Sequence, residues 1–60
     1  MEKNKISALV VDDSPLMRKI IADILNASGK VTVLDTAQNG QIALQKIEAL
    51  NPDVITLDVD

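Results

Sequence analysis

The chain lacks cysteine, histidine, tryptophan, tyrosine and phenylalanine, and these absences exclude several classes of function. Without cysteine and histidine there is neither a disulfide framework nor the usual ligand set of a zinc site. Without aromatic side chains there is no platform on which nucleobases could stack. The formal net charge of -3 also opposes binding to phosphate backbones, so we expect no nucleic-acid partner.

Long apolar runs are also missing. No run approaches the ~18 residues of a membrane-spanning helix, and the charged segment Met1–Lys5 precedes an apolar run too short for a signal peptide. We therefore expect a cytoplasmic protein with no membrane segment. With 60 residues and no aromatic side chains, the chain can build only a small aliphatic core, which suggests a piece of a larger domain.

The apolar pattern predicts three short strands alternating with two amphipathic helices. The strand runs are too apolar to alternate, as is typical of buried parallel strands. Ser14 and Pro15 suit the start of a helix, and Gly29 suits its end. Asn51 should end the second helix because it precedes Pro52. The expected strands are about Lys5–Val11, Val31–Leu34 and Asp53–Leu57, and the expected helices are about 14–29 and Gln41–Leu50.

Aspartates follow two of these strands. The β-α-β-α-β order favours an α/β fold with a parallel sheet, whose strands end along one ligand-binding edge. Asp12 and Asp13 close the first strand and Asp58 closes the third, so three carboxylates should converge. Each pair at about 5 Å would repel by roughly 3 kcal/mol, which calls for a cation. Oxygen ligands alone predict a hard cation, Mg²⁺.

The motifs carrying these residues resemble the receiver domain of two-component response regulators. They are Leu9–Ser14, the helix containing Arg18, Asn39–Gly40 and Pro52–Asp58. The resemblance extends from Lys5 to Asp60. The segments Val10–Arg18 and Ile55–Asp60 are most similar to the receiver half of the chemotaxis protein-glutamate methylesterases.

This resemblance implies a phosphorelay role. Asp58 would be the phosphoacceptor for a histidine kinase. Asp13 would ligate Mg²⁺ directly, Asp12 mostly through water, and the main-chain carbonyl of Asp60 would add a ligand. The fold would be flavodoxin-like with strand order 2-1-3, and residues 1–60 would form a partial receiver domain that ends after the phosphoacceptor strand.

A receiver resembling this one has five strands, of which the chain would supply three. A Ser or Thr and a Lys that contact the phosphoryl group would lie beyond Asp60, so we expect the fragment alone to be inactive. The third strand, Asp53–Leu57, would be an uncovered sheet edge. We expect a homodimer formed through this edge or by exchange of an element.

Two alternatives remain open at this stage. Asp58-Val59-Asp60 also resembles the nucleophile motif of haloacid-dehalogenase-like phosphatases, in which the second aspartate acts as acid and base. That interpretation leaves Asp12 and Asp13 without a role, and the motif normally opens its domain. The other alternative is a non-catalytic, dimerising α/β module.

Several further side chains are assigned structural roles. Leu16 and Met17 are predicted to be core residues, and Arg18 and Lys19 to be solvated. Thr56 should have its hydroxyl satisfied locally. Asn39 should cap the second helix. Asp35 and Asp53 should lie at strand ends or turns, outside the acidic site.

Overall fold

The structure, a computed structural model, describes residues 5–58 except for the side chain of Asp58. Within this part of the chain, neither helix combines the length and apolarity needed to cross a membrane. The predicted alternation of strands and helices is confirmed. The elements are β1 (Ile6–Asp12), α1 (Pro15–Ala27), β2 (Val31–Ala37), α2 (Gly40–Leu50) and β3 (Val54–Asp58).

The three strands form one parallel sheet in the order β2-β1-β3, as predicted. The two crossovers run in opposite directions along this sheet, so right-handed connections place α1 and α2 on opposite faces. Both helices pack on β1 and β2, and in the described residues neither contacts β3. The central strand is therefore covered on both sides, whereas no helix within residues 5–58 covers β3.

The buried core is centred on β1 and is entirely aliphatic. Leu9 and Val11 are fully buried beneath α2, where they pack with Ala37 and Ala43. Ala8 and Val10, which alternate with them, are fully buried on the other face of the strand. Burial on both faces explains why the sequence of β1 shows no polar alternation.

An irregularity in β2 makes this strand longer than predicted. Ala8 pairs with Val33, but the next residue, Leu9, pairs with Asp35, so Leu34 is an extra residue. The bulge turns Asp35 toward the face of α2, where it forms a 3.0 Å ion pair with Lys46. The strand thus continues to Ala37 instead of ending at Leu34.

The predicted helix caps are confirmed. The Ser14 hydroxyl accepts a 3.3 Å hydrogen bond from the Met17 N–H, and Asn39 Oδ1 accepts one of 2.9 Å from the Ile42 N–H. Gly29 has φ of 77° and Asn51 has φ of 51°. Both residues adopt the left-handed backbone conformation that commonly terminates helices.

The assignment of Leu16 and Met17 to the core is wrong, since they are 67% and 40% exposed. The side of α1 that faces the sheet does not include Leu16 or Met17. It is a stripe of residues spaced three or four positions apart along the helix. Leu16 lies nearly opposite that stripe and Met17 lies on its flank, and the described residues provide no element to cover either position. The half-buried stripe consists of Arg18, Ile21, Ala22 and Leu25.

Candidate functional site at the carboxyl edge of the sheet

Two of the three predicted site aspartates are register partners. Asp12 is the last residue of β1, and its Cα is paired with that of Asp58, the last residue of β3. Asp13 follows Asp12 directly and is exposed. The backbone therefore brings all three positions to one edge of the sheet. The Asp58 side chain and the predicted carbonyl ligand of Asp60 lie outside the described part of the structure.

The Asp12 side chain is only 3% exposed. Its Oδ1 accepts a 2.9 Å hydrogen bond from the Ser14 N–H, which closes the turn between β1 and α1. The aspartate thus orients the start of the helix while remaining at the strand end. A buried carboxylate that is held by neutral donors still favours a nearby positive charge.

Arg18 reaches back from α1 to the end of β1. Its Nη1 donates a 2.8 Å hydrogen bond to the main-chain carbonyl of Asp12, and its side chain is half-buried. The prediction of a solvated Arg18 is therefore wrong, whereas Lys19 is exposed and pairs with Asp23. The missed signal is spacing: an arginine one turn into a helix that follows a strand can reach that strand's last carbonyl groups.

Asp53 lies at the amino edge of the sheet, opposite the acidic site. There its carboxylate accepts hydrogen bonds from Ser7. Hydrogen bonds from the Ser7 N–H and hydroxyl lower the pKa of Asp53 below its usual value. Asp35 lies within β2, not at a strand end or turn. The pKa of Asp35 is lowered mainly by the Thr36 N–H and then by Lys46. Both carboxylates have structural partners of their own.

Thr56 lies on the strand that leads to the acidic edge. Its Cα is paired with that of Val10, and its hydroxyl oxygen is buried without a hydrogen-bond partner. The prediction that this hydroxyl is satisfied locally is wrong. The register explains the result, since the opposing residue on β1 is a fully buried valine that offers no polar side chain.

The oxygen chemistry of this edge fits Mg²⁺. The described side chains contain no group of three or more potential metal ligands, so a complete carboxylate set would require Asp58. Asp12 is buried and Asp13 is exposed beside it, which provides one fixed and one accessible carboxylate. Carboxylate oxygens without nitrogen or sulfur ligands suit a hard divalent cation.

Comparison with known proteins gives a consistent family assignment. The family model of the response regulator receiver domain matches residues 8–60. A protein-glutamate methylesterase/protein-glutamine glutaminase of Bacillus subtilis is 58% identical over 55 residues, which cover 92% of this chain. The protein of the same name from Geobacillus kaustophilus is 56% identical over 55 residues, again 92% of the chain. A second form from Methanosarcina mazei is 53% identical over 53 residues, or 88% of the chain.

The chain spans only a small part of these relatives. The matched segment covers 15% of the Bacillus protein, 16% of the Geobacillus protein and 14% of the Methanosarcina protein. The similarity therefore concerns the receiver segment, and the activities named for the relatives belong to those whole proteins.

Proposed function

Because the chain belongs to the response regulator receiver family, we propose that Asp58 accepts a phosphoryl group from a histidine kinase. Asp12, Asp13, Asp58 and the main-chain carbonyl of Asp60 would hold Mg²⁺ in this proposal. The observation that carries it is the register pairing of Asp12 with Asp58, with Asp13 adjacent, at the carboxyl edge of the sheet. Ligands of open α/β folds bind at this edge.

The proposed chemistry needs no general base. A carboxylate can attack phosphorus directly, and one oxygen of Asp58 would form the new O–P bond as the bond from phosphorus to the donor histidine breaks. A bound Mg²⁺ would neutralise charge on the transferred group. The protein's own task is positioning: the Ser14 N–H holds the Asp12 carboxylate, and Arg18 holds the Asp12 carbonyl.

The relatives also support a proposal for the wider role. We propose that residues 1–60 form the first part of a receiver domain, up to the phosphoacceptor strand. In a protein like the relatives named above, this receiver would control a protein-glutamate methylesterase output domain in chemotaxis. The proposal includes a cytoplasmic location, where a histidine kinase could supply the phosphoryl group.

Titration of the ¹⁵N-labelled chain with Mg²⁺ tests the metal site. We expect amide shifts confined to the ends of β1 and β3 and a Kd raised by about tenfold or more in Asp13→Asn. Asp23→Asn is the matched control because Asp23 is an exposed aspartate on α1 that pairs with Lys19, away from the acidic edge. Equal binding by the two variants would contradict the site.

Phosphoryl transfer is tested by comparing the 60-residue chain with a fusion to the segment that follows the match in the Bacillus relative. Both are incubated with Mg²⁺ and acetyl phosphate and then reduced with borohydride, which converts phosphoaspartate to homoserine. We expect homoserine at position 58 in the fusion and at most traces in the chain alone, because groups that neutralise the phosphoryl charge would be lacking.

Asp58→Asn in the fusion should abolish the signal, and Asp23→Asn should leave it unchanged. Homoserine at another aspartate would refute the assignment of Asp58. Repeated turnover of a chromogenic phosphate ester, lost in Asp58→Asn, would instead identify a phosphatase, because a phosphoacceptor reacts once per chain.

A further inference from the structure

Asn39 and Gly40 form the one Asn-Gly pair in the sequence, and both residues are exposed at the start of α2. In such a pair the backbone nitrogen of the glycine can attack the side-chain amide carbon of the asparagine. Glycine favours this attack because no side chain hinders its nitrogen and its backbone turns freely. The other asparagines of the described residues precede Ala27 and Pro52, and a proline nitrogen has no hydrogen to lose.

The described residues do not require a glycine at position 40. The φ angle of Gly40 lies outside the left-handed region, in contrast to the 77° of Gly29. A Cβ atom added to Gly40 would meet no other atom of the described residues within 4 Å. Glycine is also a poor helix former. The property that distinguishes Gly40 from an alanine at this place is therefore its unhindered backbone nitrogen.

The start of the helix holds the Asn39 side chain away from this reaction. Asn39 Oδ1 accepts a 2.9 Å hydrogen bond from the Ile42 N–H, and the Asn39 carbonyl accepts one of 3.0 Å from the Ala43 N–H. The ψ angle of Asn39 is 175°, which staggers its Cβ and the Gly40 nitrogen about the Cα–C bond. Closure of a five-membered ring needs these two atoms nearly eclipsed. The ring can therefore close only when the first turn of α2 opens.

We propose that Asn39 is a deamidation site whose rate is set by opening of the first turn of α2. In the first step the Gly40 nitrogen bonds to Asn39 Cγ and the bond from Cγ to Nδ2 breaks. Nδ2 leaves as ammonia with the proton from the Gly40 N–H. Water then opens the cyclic imide. Attack at Cγ gives aspartate, and attack at the main-chain carbonyl gives isoaspartate, in which the backbone runs through the former side chain.

The two products affect α2 in opposite ways. A normal aspartate at position 39 keeps an oxygen that can accept from the Ile42 N–H, and aspartate caps helices as well as asparagine does. Its new charge also lies at the positive end of the helix dipole, which is favourable. Isoaspartate adds a methylene group to the main chain at the cap, which displaces the capping oxygen from the N–H groups of the first turn.

The added charge arises at the carboxyl edge of the sheet. β2 ends at Ala37, whose Cα is paired with that of Val11 near the end of β1, so α2 begins at the same edge as the acidic site. Deamidation thus adds one negative charge to this edge. The reaction uses atoms of Asn39 and Gly40 and water alone, and it is independent of phosphoryl transfer.

Incubation of the 60-residue chain at neutral pH, followed by tryptic digestion and mass spectrometry, measures the reaction. Asn39 lies in the peptide 31–46 and Asn26 lies in the peptide 20–30. Asn26 is the internal control, because its Oδ1 also accepts a 2.9 Å hydrogen bond from a main-chain N–H, that of Val33, but an alanine follows it. We expect deamidation at Asn39 and little or none at Asn26.

A synthetic peptide of residues 31–46 tests the dependence on helix opening. It contains the same Asn-Gly pair, but so short an isolated helix is marginal in water. We expect the chain to deamidate about tenfold or more slowly than this peptide, because opening of the packed helix start costs free energy. Gln45→Gly lowers the helix propensity of α2 at an exposed position, so it should raise the rate in the chain but not in the peptide.

Gly40→Ala should nearly abolish the reaction, and its new Cβ meets open space in the described residues. The separated isoaspartate form should have a lower urea midpoint than the unmodified chain, whereas Asn39→Asp should match or exceed it. Equal deamidation at Asn39 and Asn26, an unchanged rate in Gly40→Ala, or equal rates in the chain and the peptide would overturn the proposal.

Discussion

Ser7 and Asp53 are joined by four hydrogen bonds at the amino edge of the sheet. The Ser7 N–H and hydroxyl both donate to Asp53 Oδ2, at 2.9 and 3.0 Å. The Asp53 N–H donates to the Ser7 hydroxyl and carbonyl oxygens, both at 2.9 Å. These bonds fix the start of β3 against β1. The register that they set pairs Asp12 with Asp58 at the far end.

Loss of this contact should weaken the fold and the acidic site together. We expect Asp53→Ala to lower the urea midpoint and to weaken Mg²⁺ binding, because a slipped register would separate Asp58 from Asp12. Asp23→Ala, at an exposed position, is the control and should change neither quantity appreciably. A loss of stability with unaltered Mg²⁺ affinity would show that the contact does not determine the geometry of the site.

The lowered pKa values of Asp35 and Asp53 make stability dependent on pH. Each carboxyl has a folded-state pKa below its unfolded value of 3.8, so its contribution is fully present above that value. The contribution is lost as pH falls through the folded-state pKa. We expect urea midpoints to fall from about pH 5 to about pH 2, less steeply in the Asp35→Asn/Asp53→Asn double variant. If the urea midpoint fell with pH equally steeply in the wild-type chain and the double variant, the proposed contribution of the two carboxyl groups would be contradicted.

The order of elements could be predicted because it depends on local signals. The apolar runs, Ser14, Asn39 and Gly29 each specify a strand, cap or helix end by their own chemistry. The length of β2 could not be predicted in this way. Asp35 resembles a turn residue, and it is accommodated in the strand only through a bulge and the ion pair with Lys46 in α2.

The side-chain environments were less predictable than the elements. Leu16 fits the apolar face of α1, yet burial depends on which neighbouring elements exist, and the described residues place nothing over it. The charge of Arg18 favours a solvated side chain, whereas its position one turn into α1 brings it within hydrogen-bond distance of the Asp12 carbonyl. The positions of Asp12, Asp13 and Asp58 followed from strand ends alone, since parallel strands must finish along one edge.

Arg18→Ala should destabilise the chain by about 1 kcal/mol through loss of the charged hydrogen bond to the Asp12 carbonyl. Because this bond fixes the end of β1, Mg²⁺ affinity should fall as well. Lys19→Ala is the matched control, and its exposed pair with Asp23 is worth about 0.5 kcal/mol or less. Urea melts and Mg²⁺ titrations of both variants provide the comparison. Equal effects would refute a positioning role for Arg18.

Asp13→Asn should stabilise the metal-free chain by about 1 kcal/mol, because it removes one of the like charges at a solvent-open edge. Saturating Mg²⁺ should reverse the order of stability, since the wild-type chain would gain binding energy that the variant lacks. Urea melts with and without Mg²⁺ measure both effects, and Asp23→Asn is the control. Unchanged or lower stability of the metal-free variant would argue against converging carboxylates.

Thr56→Val should stabilise the chain by about 1 kcal/mol. The buried Thr56 hydroxyl has no hydrogen-bond partner, and valine replaces it with a methyl group of similar shape, which avoids the cost of burying an unpaired polar atom. Thr32→Val is the matched control, because Thr32 is an exposed threonine of β2 whose hydroxyl can bond to water. Thermal melts at the lowest practical concentration limit any contribution from association. Equal or greater stabilisation by Thr32→Val would show that β-propensity, and not the unpaired hydroxyl, determines the result.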